Sequence, residues 1–432
     1  MTHQDIANYA LEKLMKAGAD KAACSATRGR KDEFNVESGD FSLLRTLFND
    51  GLSLKVIKDG RKGVTIINKL EKDAIDQAVE ECISMALSAE PDEAEDIAEK
   101  IENKKFDRRV GGADMQGLFS RTKEFVEQVA DEFPQIGLEA VMSDFNSSKV
   151  AYMSSNGVEF YDESEHYSSS FMFAARDGEK TSSFNGYSSL FASTKTPFME
   201  MGMLRTLLDE SVRSLDTRTV EGKFVGKVIL TPACEDMIWD TLIDNFLSDM
   251  SLVTEVSRWK DALGTKVADS KLTMRLSPFR SDTVAGERFT ADGYLSEDID
   301  LIRDGVLDSF LLSLYGSKKT GKPRARCSAT SNLEVLPGTE SLSDMIKGVE
   351  RGILLNRFSG GSPGPSGDVS GIAKNSFLIE NGAITDAISE TMLSFNIVDI
   401  LQNMPAISKE RCSNGSSLLP WCCFDGITIS GK

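Results

Sequence analysis

The sequence predicts an α+β protein of two domains, and three observations carry that reading. In the first half, short apolar runs are separated by Gly, Asp and Asn turns, the pattern of an antiparallel meander. Around these runs, residues 2–14, 71–88 and 114–132 repeat their apolar side chains at helical spacing. In the second half, strand signals dominate and helical ones are few. A chain of 432 residues is long enough for two substantial cores. The division is expected near residue 220. It gives an N-terminal α+β domain over 1–220, divisible into units 1–105 and 112–217, and a sheet-rich, barrel- or sandwich-like C-terminal domain over 221–432.

In chain order, Thr2 caps a helix that carries Ile6, Ala10, Leu11 and Leu14 on one face. Strands are expected at 21–28, 33–37, 41–48, 52–57 and 63–68, with a turn at Asp59-Gly60. A helix follows over 71–88 with Ile75, Ala78, Val79, Cys82 and Ile83. The acidic, lysine-rich stretch 90–105 reads as a solvated connection or exposed helix. A helix over 114–132 opens the next unit. Strands follow at 137–145, 149–154, 158–170 and 171–176, with Asn156-Gly157 as a hairpin turn and a long helix over 199–217. Residues 223–231 (KFVGKVILT) read as a buried strand that Pro232 stops, before a helix over 234–250. Further strands are expected at 272–277, 294–302, 306–313, 332–336, 383–389 and 418–429, and helices at 341–352 and near 395–402.

Composition narrows the function classes. The chain is 40% hydrophobic and 27% charged, with a formal net charge of −18. That charge opposes attraction to phosphate backbones and anionic lipid, so neither a nucleic acid nor a membrane is an expected partner. No basic segment followed by an apolar core opens the chain, and no eighteen apolar residues run together, so a cytoplasmic location is expected. The seven cysteines are scattered without zinc-ribbon spacing and read as reduced thiols. Cys422 and Cys423 lie in an apolar strand, where neighbours face opposite sides.

Histidine is the most informative count: there are two, His3 and His166, so none in the last 266 residues. No helical HExxH or HExxxH motif exists in any register, and Ser-His-Asp or Cys-His catalysis has only His166 to draw on. Residues 316–326 (GSKKTGKPRAR) form a strongly basic run in an acidic chain. Its Lys318-Lys319, Arg324 and Arg326 could hold an anion or a peptide carboxylate, or form a solvated loop. Residues 359–382 (SGGSPGPSGDVSGIAKNSFLIENG) pass from a Gly/Pro-dense loop into an apolar strand closed by the turn Asn381-Gly382. That is a way to set a shaped loop on a rigid sheet, or a plain surface loop.

Several stretches resemble the TldD/TldE (PmbA) family, known as microcin-maturing peptidases or modulators of DNA gyrase. They are Asp304-Gly305-Val306-Leu307, Asn332-Leu333 through Pro337-Gly338, Gly348 to Gly352 with Gly360-Gly361, Gly367-Asp368-Val369-Ser370 leading to Ile379-Glu380-Asn381-Gly382, and the ending GITISG. Gly51 to Gly63 and Ser155-Asn156-Gly157 add a looser match in the first half. The resemblance implies that a TldD-like subunit carries HExxxH after a strand ending in Pro, with a distant Cys ligand. Counted from Pro232, those positions hold Asp240, Thr241 and Asn245 here, and Cys412 falls at the Cys position. The resemblance therefore places the chain on the TldE/PmbA side, with no cofactor expected in this chain and zinc in a TldD-like partner. It implies a dimer, with that partner or with itself, around a cleft for an unfolded peptide held as an added strand. Gly360, Gly361, Gly367, Asp368, Ser370, Arg324 and Arg326 are the candidates for that cleft or for the subunit interface.

Two other readings stay open at this point. One is a peptidase with a non-histidine site built from Asp240, Cys412 and nearby carboxylates, which zinc could accept given about three ligands and an open position. The other is a non-enzymatic binding protein acting on gyrase or a toxin–antitoxin system, as the family's older name suggests.

Overall fold

A computed structural model describes residues 1–361 and 363–432; Ser362, inside the Gly-rich segment, lies outside the described residues. Helices pack on two large sheets, one built from the first half of the chain and one from the second, so the fold is α+β. The first sheet contains β1 (Lys21–Glu37), β2 (Asp40–Lys58), β3 (Arg61–Ile67), β4 (Lys104–Arg108), β5 (Ile136–Ser154), β6 (Glu159–Asp177), β7 (Lys180–Thr181) and β8 (Asn185–Phe191). Its order is β3-β2-β1-β5-β6-β4, with β7 and β8 also paired to β6. Every pairing is antiparallel except that of β4 with β6.

Four of these strands are longer than the sequence pattern predicts. Residues 21–28 and 33–37 are one strand, as are 41–48 with 52–57, 137–145 with 149–154, and 158–170 with 171–176. The apolar alternation breaks at Gly29–Asp32 because the side chains there are polar. The backbone ladder nevertheless continues through them, with Lys31 opposite Leu47 and Asn146. Lys31 is then paired with Glu33 at 2.9 Å and Asp144 at 3.2 Å across the sheet surface.

Strand alternation puts Ala22, Cys24 and Ala26 on the same face of β1 as Phe34 and Val36. That face takes two helix pairs. Helices α1 (His3–Lys16) and α2 (Lys72–Ser88) cover one end through Ile6, Leu14, Ile75 and Val79. Helices α3 (Met115–Glu132) and α4 (Leu204–Arg213) cover the other through Phe125, Val129, Leu207 and Leu208. The start of α1 is closed reciprocally: Asp5 N donates to Thr2 Oγ1 at 3.1 Å, and Thr2 N to Asp5 Oδ2 at 2.8 Å. The opposite face carries Ala23, Tyr152 and Phe160 onto Phe289, Tyr294 and Leu295, which belong to the second half of the chain.

Other expected elements differ too; the strand over 306–313 is reduced to Val306–Leu307, and the helix over 341–352 to Leu342–Lys347. The stretch 90–105 is neither helical nor free. It is irregular, with a turn at Glu93-Ala94, buries Ala94, Ile97 and Ala98, and continues into β4. Its charges hold it down. Lys318 pairs with Asp96, Lys319 with Asp92 at 2.8 Å, and Lys21 with Asp96 at 2.5 Å. Burial would raise the Asp96 carboxyl, but the bonds from Lys21 and Lys318 and the Ile97 amide outweigh it and lower it to about 2. The basic run is therefore a clamp between the two halves. The helix over 199–217 is broken at Gly202 into a 3₁₀ turn, Phe198–Glu200, and α4. The helix over 234–250 is divided into α5 (Asp236–Leu242), a π-helical turn Ile243–Leu247, and a short helix Asp249–Val253 capped by Ser248.

The second sheet is mixed. Its core strands are β9 (Thr217–Thr219), β10 (Lys223–Leu230), β11 (Met274–Leu276), β12 (Ile299–Arg303), β13 (Val306–Leu307), β14 (Leu333–Val335) and β15 (Arg351–Leu355). Then come β16 (Arg357–Gly360), β17 (Asp368–Lys374), β18 (Ser376–Glu380), β19 (Ala383–Ser389), β20 (Thr391–Asn396), β21 (Ala406–Ser413) and β22 (Leu418–Ser430). The predicted strand at 223–231 lies at the centre as β10, antiparallel to β22 and parallel to β15. Trp239 and Phe246 are fully buried against this sheet in the largest core. Cys422 and Cys423 point to opposite sides as expected, into two different cores, and both are buried.

The segment 359–382 is two hairpins. β16 pairs with β17, and Asn381-Gly382, at φ 51° and 76°, turns β18 into β19. Gly360 has a packing reason: a Cβ there would overlap the Phe358 ring, which lies across the strand pair. Among the described residues, no helix is long and apolar enough to cross a membrane.

Candidate functional site

Beside the family-type cysteine lies a cleft of about 440 Å³ where the two sheets meet. The first half supplies Ser170 from β6, Phe184, and Asn185 to Ser188 from β8. The second supplies Pro232 and Ala233 after β10, Asn356 and Arg357, Cys412 at the end of β21, and Asn414 and Ser417 from the following turn. Pro232 ends a central strand and so delivers the chain to this seam. The turn after β21 rivets the seam: Leu190 N donates to Asn414 O at 2.8 Å and Ser189 Oγ to the same oxygen at 3.1 Å. Val284 N donates to Gly415 O at 2.9 Å. Across the cleft, Asn375 Nδ2 reaches Ser183 O at 3.1 Å and Phe184 O at 3.2 Å.

Two sheet edges border the opening. β8 pairs only with β6, and β16 only with β17, among the described strands. An unpaired edge offers backbone donors and acceptors to an extended segment.

Cys412 is half-buried on the cleft wall. Burial pushes its thiol up, and the neighbouring Tyr187 hydroxyl, which itself donates to Ser413 O at 3.5 Å, pulls the other way. The Tyr187 phenol is itself raised, first by burial and then by Cys412. Thiolate is the reactive form, so this cysteine is a poor nucleophile near neutrality. The other six are buried. In the folded protein at pH 7.5, alkylation by iodoacetamide is therefore expected to be slow and to begin at Cys412, with all seven reacting in guanidinium. Peptide mass mapping over time checks this, and rapid labelling of another cysteine in the native state would contradict it.

Beneath the cleft sits Glu210 on α4, 6% exposed. Burial raises its carboxyl to about 7, against smaller opposing effects of the Asn356 amide and Arg213. It thus stays largely protonated in mildly acidic solution, tucked behind a cleft-lining residue.

The sequence-derived positions scatter. Cys412 lines the cleft; Asp240, Thr241 and Asn245 do not. Asp240 is exposed on α5, its carboxyl raised by partial burial and then by Asp244. Thr241 Oγ1 donates to Met237 O at 2.7 Å, and Asn245 Nδ2 to Pro363 O at 3.1 Å. Asn245 lies within the π turn, a feature that often marks functional sites in helices. Gly360, Gly361, Gly367, Asp368 and Ser370 lie on β16, β17 and their connection, outside the cleft lining. Asp368 accepts from Asn396 Nδ2 at 2.9 Å, and Ser370 Oγ meets Ser394 Oγ at 3.1 Å. Arg324 stacks on the Tyr294 ring, 3.6 Å to its centroid, and Arg326 pairs with Glu297 at 2.7 Å. Tyr187, Asn356, Arg357 and Glu210 carry no motif, and sequence reasoning missed them.

Comparison with known proteins follows the same geometry. Residues 222–431 match the model of the PmbA/TldA metallopeptidase C-terminal domain, and residues 22–86 that of PmbA/TldA metallopeptidase domain 1. The chain belongs to the PmbA/TldE family. A metalloprotease PmbA homolog of Haemophilus influenzae is 24% identical over 98% of this chain and 95% of its own length. Metalloprotease PmbA of Escherichia coli O157:H7 is 30% identical over 37% of each chain. Among solved structures, TldE from Thermococcus kodakarensis superposes with a TM-score of 0.85 at 18% identity, covering 98% of this chain and 100% of that one. A Bacteroides thetaiotaomicron protein described as a modulator of DNA gyrase gives 0.84 at 23% identity, covering 99% and 98%. These two likenesses concern the fold.

The PmbA/TldE name raises the question of a metal, and the donor set does not fit one. Among the described residues, no group of three or more His, Cys, Asp or Glu side chains stands close enough to hold an ion. Cys412 Sγ donates to Ser413 O at 3.9 Å, and the positions matched to the metal motif lie elsewhere.

Proposed function

We propose that this chain is a subunit of a TldD/TldE-type metallopeptidase complex that shapes a cleft for an unfolded peptide and leaves metal chemistry to a TldD-like partner. The observation that carries this reading is the interdomain cleft itself. It is bordered by β8 and β16, each with a single strand partner among the described strands, and contains the family-position Cys412, without an imidazole beside it. Edge strands suit substrates without fixed sequence, because backbone hydrogen bonds supply the affinity.

Two measurements on the full chain test the proposal. Metal analysis of the purified protein is expected to find zinc far below one per chain, and affinity capture from the native cell is expected to recover a chain carrying HExxxH. Stoichiometric zinc with chelator-sensitive peptidase activity would instead support a peptidase complete in itself.

A further inference from the structure

We propose that Arg357 is a carboxylate anchor in the interdomain cleft, selecting extended peptides that present a C-terminal carboxylate or an acidic side chain. This deepens the peptide-cleft reading and rests on it.

Arg357 is the one charged side chain among the described residues lining the cleft. The chain has 67 Asp and Glu residues against 49 Lys and Arg, so carboxylates to pair with are plentiful. Arg280, Arg326 and Arg411 each hold one: Asp282, Glu297 at 2.7 Å and Glu334 at 2.6 Å. Among the described residues, no carboxylate is within ion-pair distance of Arg357. Its guanidinium lies on the Phe184 ring, 3.5 Å to the centroid, and Nη1 donates to Phe184 O at 2.6 Å. Stacking and this single bond fix the plane of the fork, and the remaining N–H groups are not buried. A fixed planar fork matches a carboxylate in bidentate fashion. Burial lowers the basicity of this guanidinium, the expected mark of a cation that lacks its counter-charge.

Beside it, Asn356 is 2% exposed and its Nδ2 donates to Asn375 O at 3.0 Å, which holds the start of β16 in place. Arg357 begins β16, so the anchor sits at an unpaired strand edge, where an added strand would start.

The test uses the full chain and three labelled, unstructured octapeptides of Ala, Ser and Val, read by fluorescence anisotropy. One has a free C-terminus, one a C-terminal amide, and one an amide with an internal Glu. The free-acid or the Glu peptide, or both, is expected to bind about tenfold or more tightly than the plain amide. Which of them does so identifies the source of the carboxylate. The advantage should vanish in Arg357→Gln and shrink in Arg357→Lys, which keeps the charge and loses the fork; matching thermal melts show that the variants fold. Equal binding of all three peptides, or a preference that survives Arg357→Gln, overturns the anchor and leaves the cleft standing. Peptide binding that is unaffected by Ser188→Trp, placed to fill the cleft, overturns the cleft reading. No binding of any peptide overturns both.

Discussion

Replacing Gly415 by Ala is expected to destabilise the protein by about 2–5 kcal/mol, combining left-handed backbone strain with forced overlap. Gly415 sits at φ 82°, and a Cβ there would run into the Leu190 carbonyl, a backbone atom that cannot swing aside. The same turn carries a bond that joins the two sheets beside the cleft, Leu190 N to Asn414 O, and its Gly415 O accepts from Val284 N within the second half. Relief of the overlap must therefore open the seam. Denaturant unfolding of Gly415→Ala against Gly361→Ala checks this. Gly361 has an ordinary φ and nothing within 4 Å of its would-be Cβ, so that variant should stay within about 0.5 kcal/mol of the parent. Equal stability of the two variants would show that the seam is not rigid at this turn.

The second large effect is one of pH. Glu210 titrates at about 7 in the folded chain, against 4.5 as its ordinary value. Between those pH values the folded state holds a proton that the unfolded state has lost, so stability falls as pH rises. By pH 8 this one group is expected to have removed about 3 kcal/mol relative to pH 4.5. Gln has the same shape and no proton to lose. The unfolding free energy of Glu210→Gln should therefore gain on the parent by about 3 kcal/mol between pH 4.5 and 8. Other groups cancel in that difference. Parallel pH profiles for the two proteins would show that Glu210 is ionised in the fold. The effect should also reach the cleft, since ionisation puts a charge against Asn356.

Legibility in the sequence followed the range of the interaction. The turn at Asn381-Gly382, the strand at 223–231 stopped by Pro232, and the capped first helix are local, and each formed as read. The four long strands of the first sheet were cut short because polar residues at their middles broke the alternation, while the ladder runs on through them against neighbouring strands, which for β1 and β5 lie about a hundred residues or more apart. The helix over 199–217 failed at Gly202, where a positive φ ended it. The basic run 316–326 looked like an anion site because its partners, Asp92 and Asp96, are more than 220 residues earlier.

By itself the sequence determined the α+β class, the family motifs, the lack of histidine in the second half and the place of Cys412, since each is composition or order along the chain. Only the tertiary structure decided which groups face the cleft. Tyr187 meets Cys412, and Arg357 meets Phe184, across separations of more than 170 residues. The degenerate metal-motif positions fell outside that lining. Burial and pairing are properties of the packed seam: they leave Arg357 without a counter-charge and Glu210 with its proton, and no single segment encodes them.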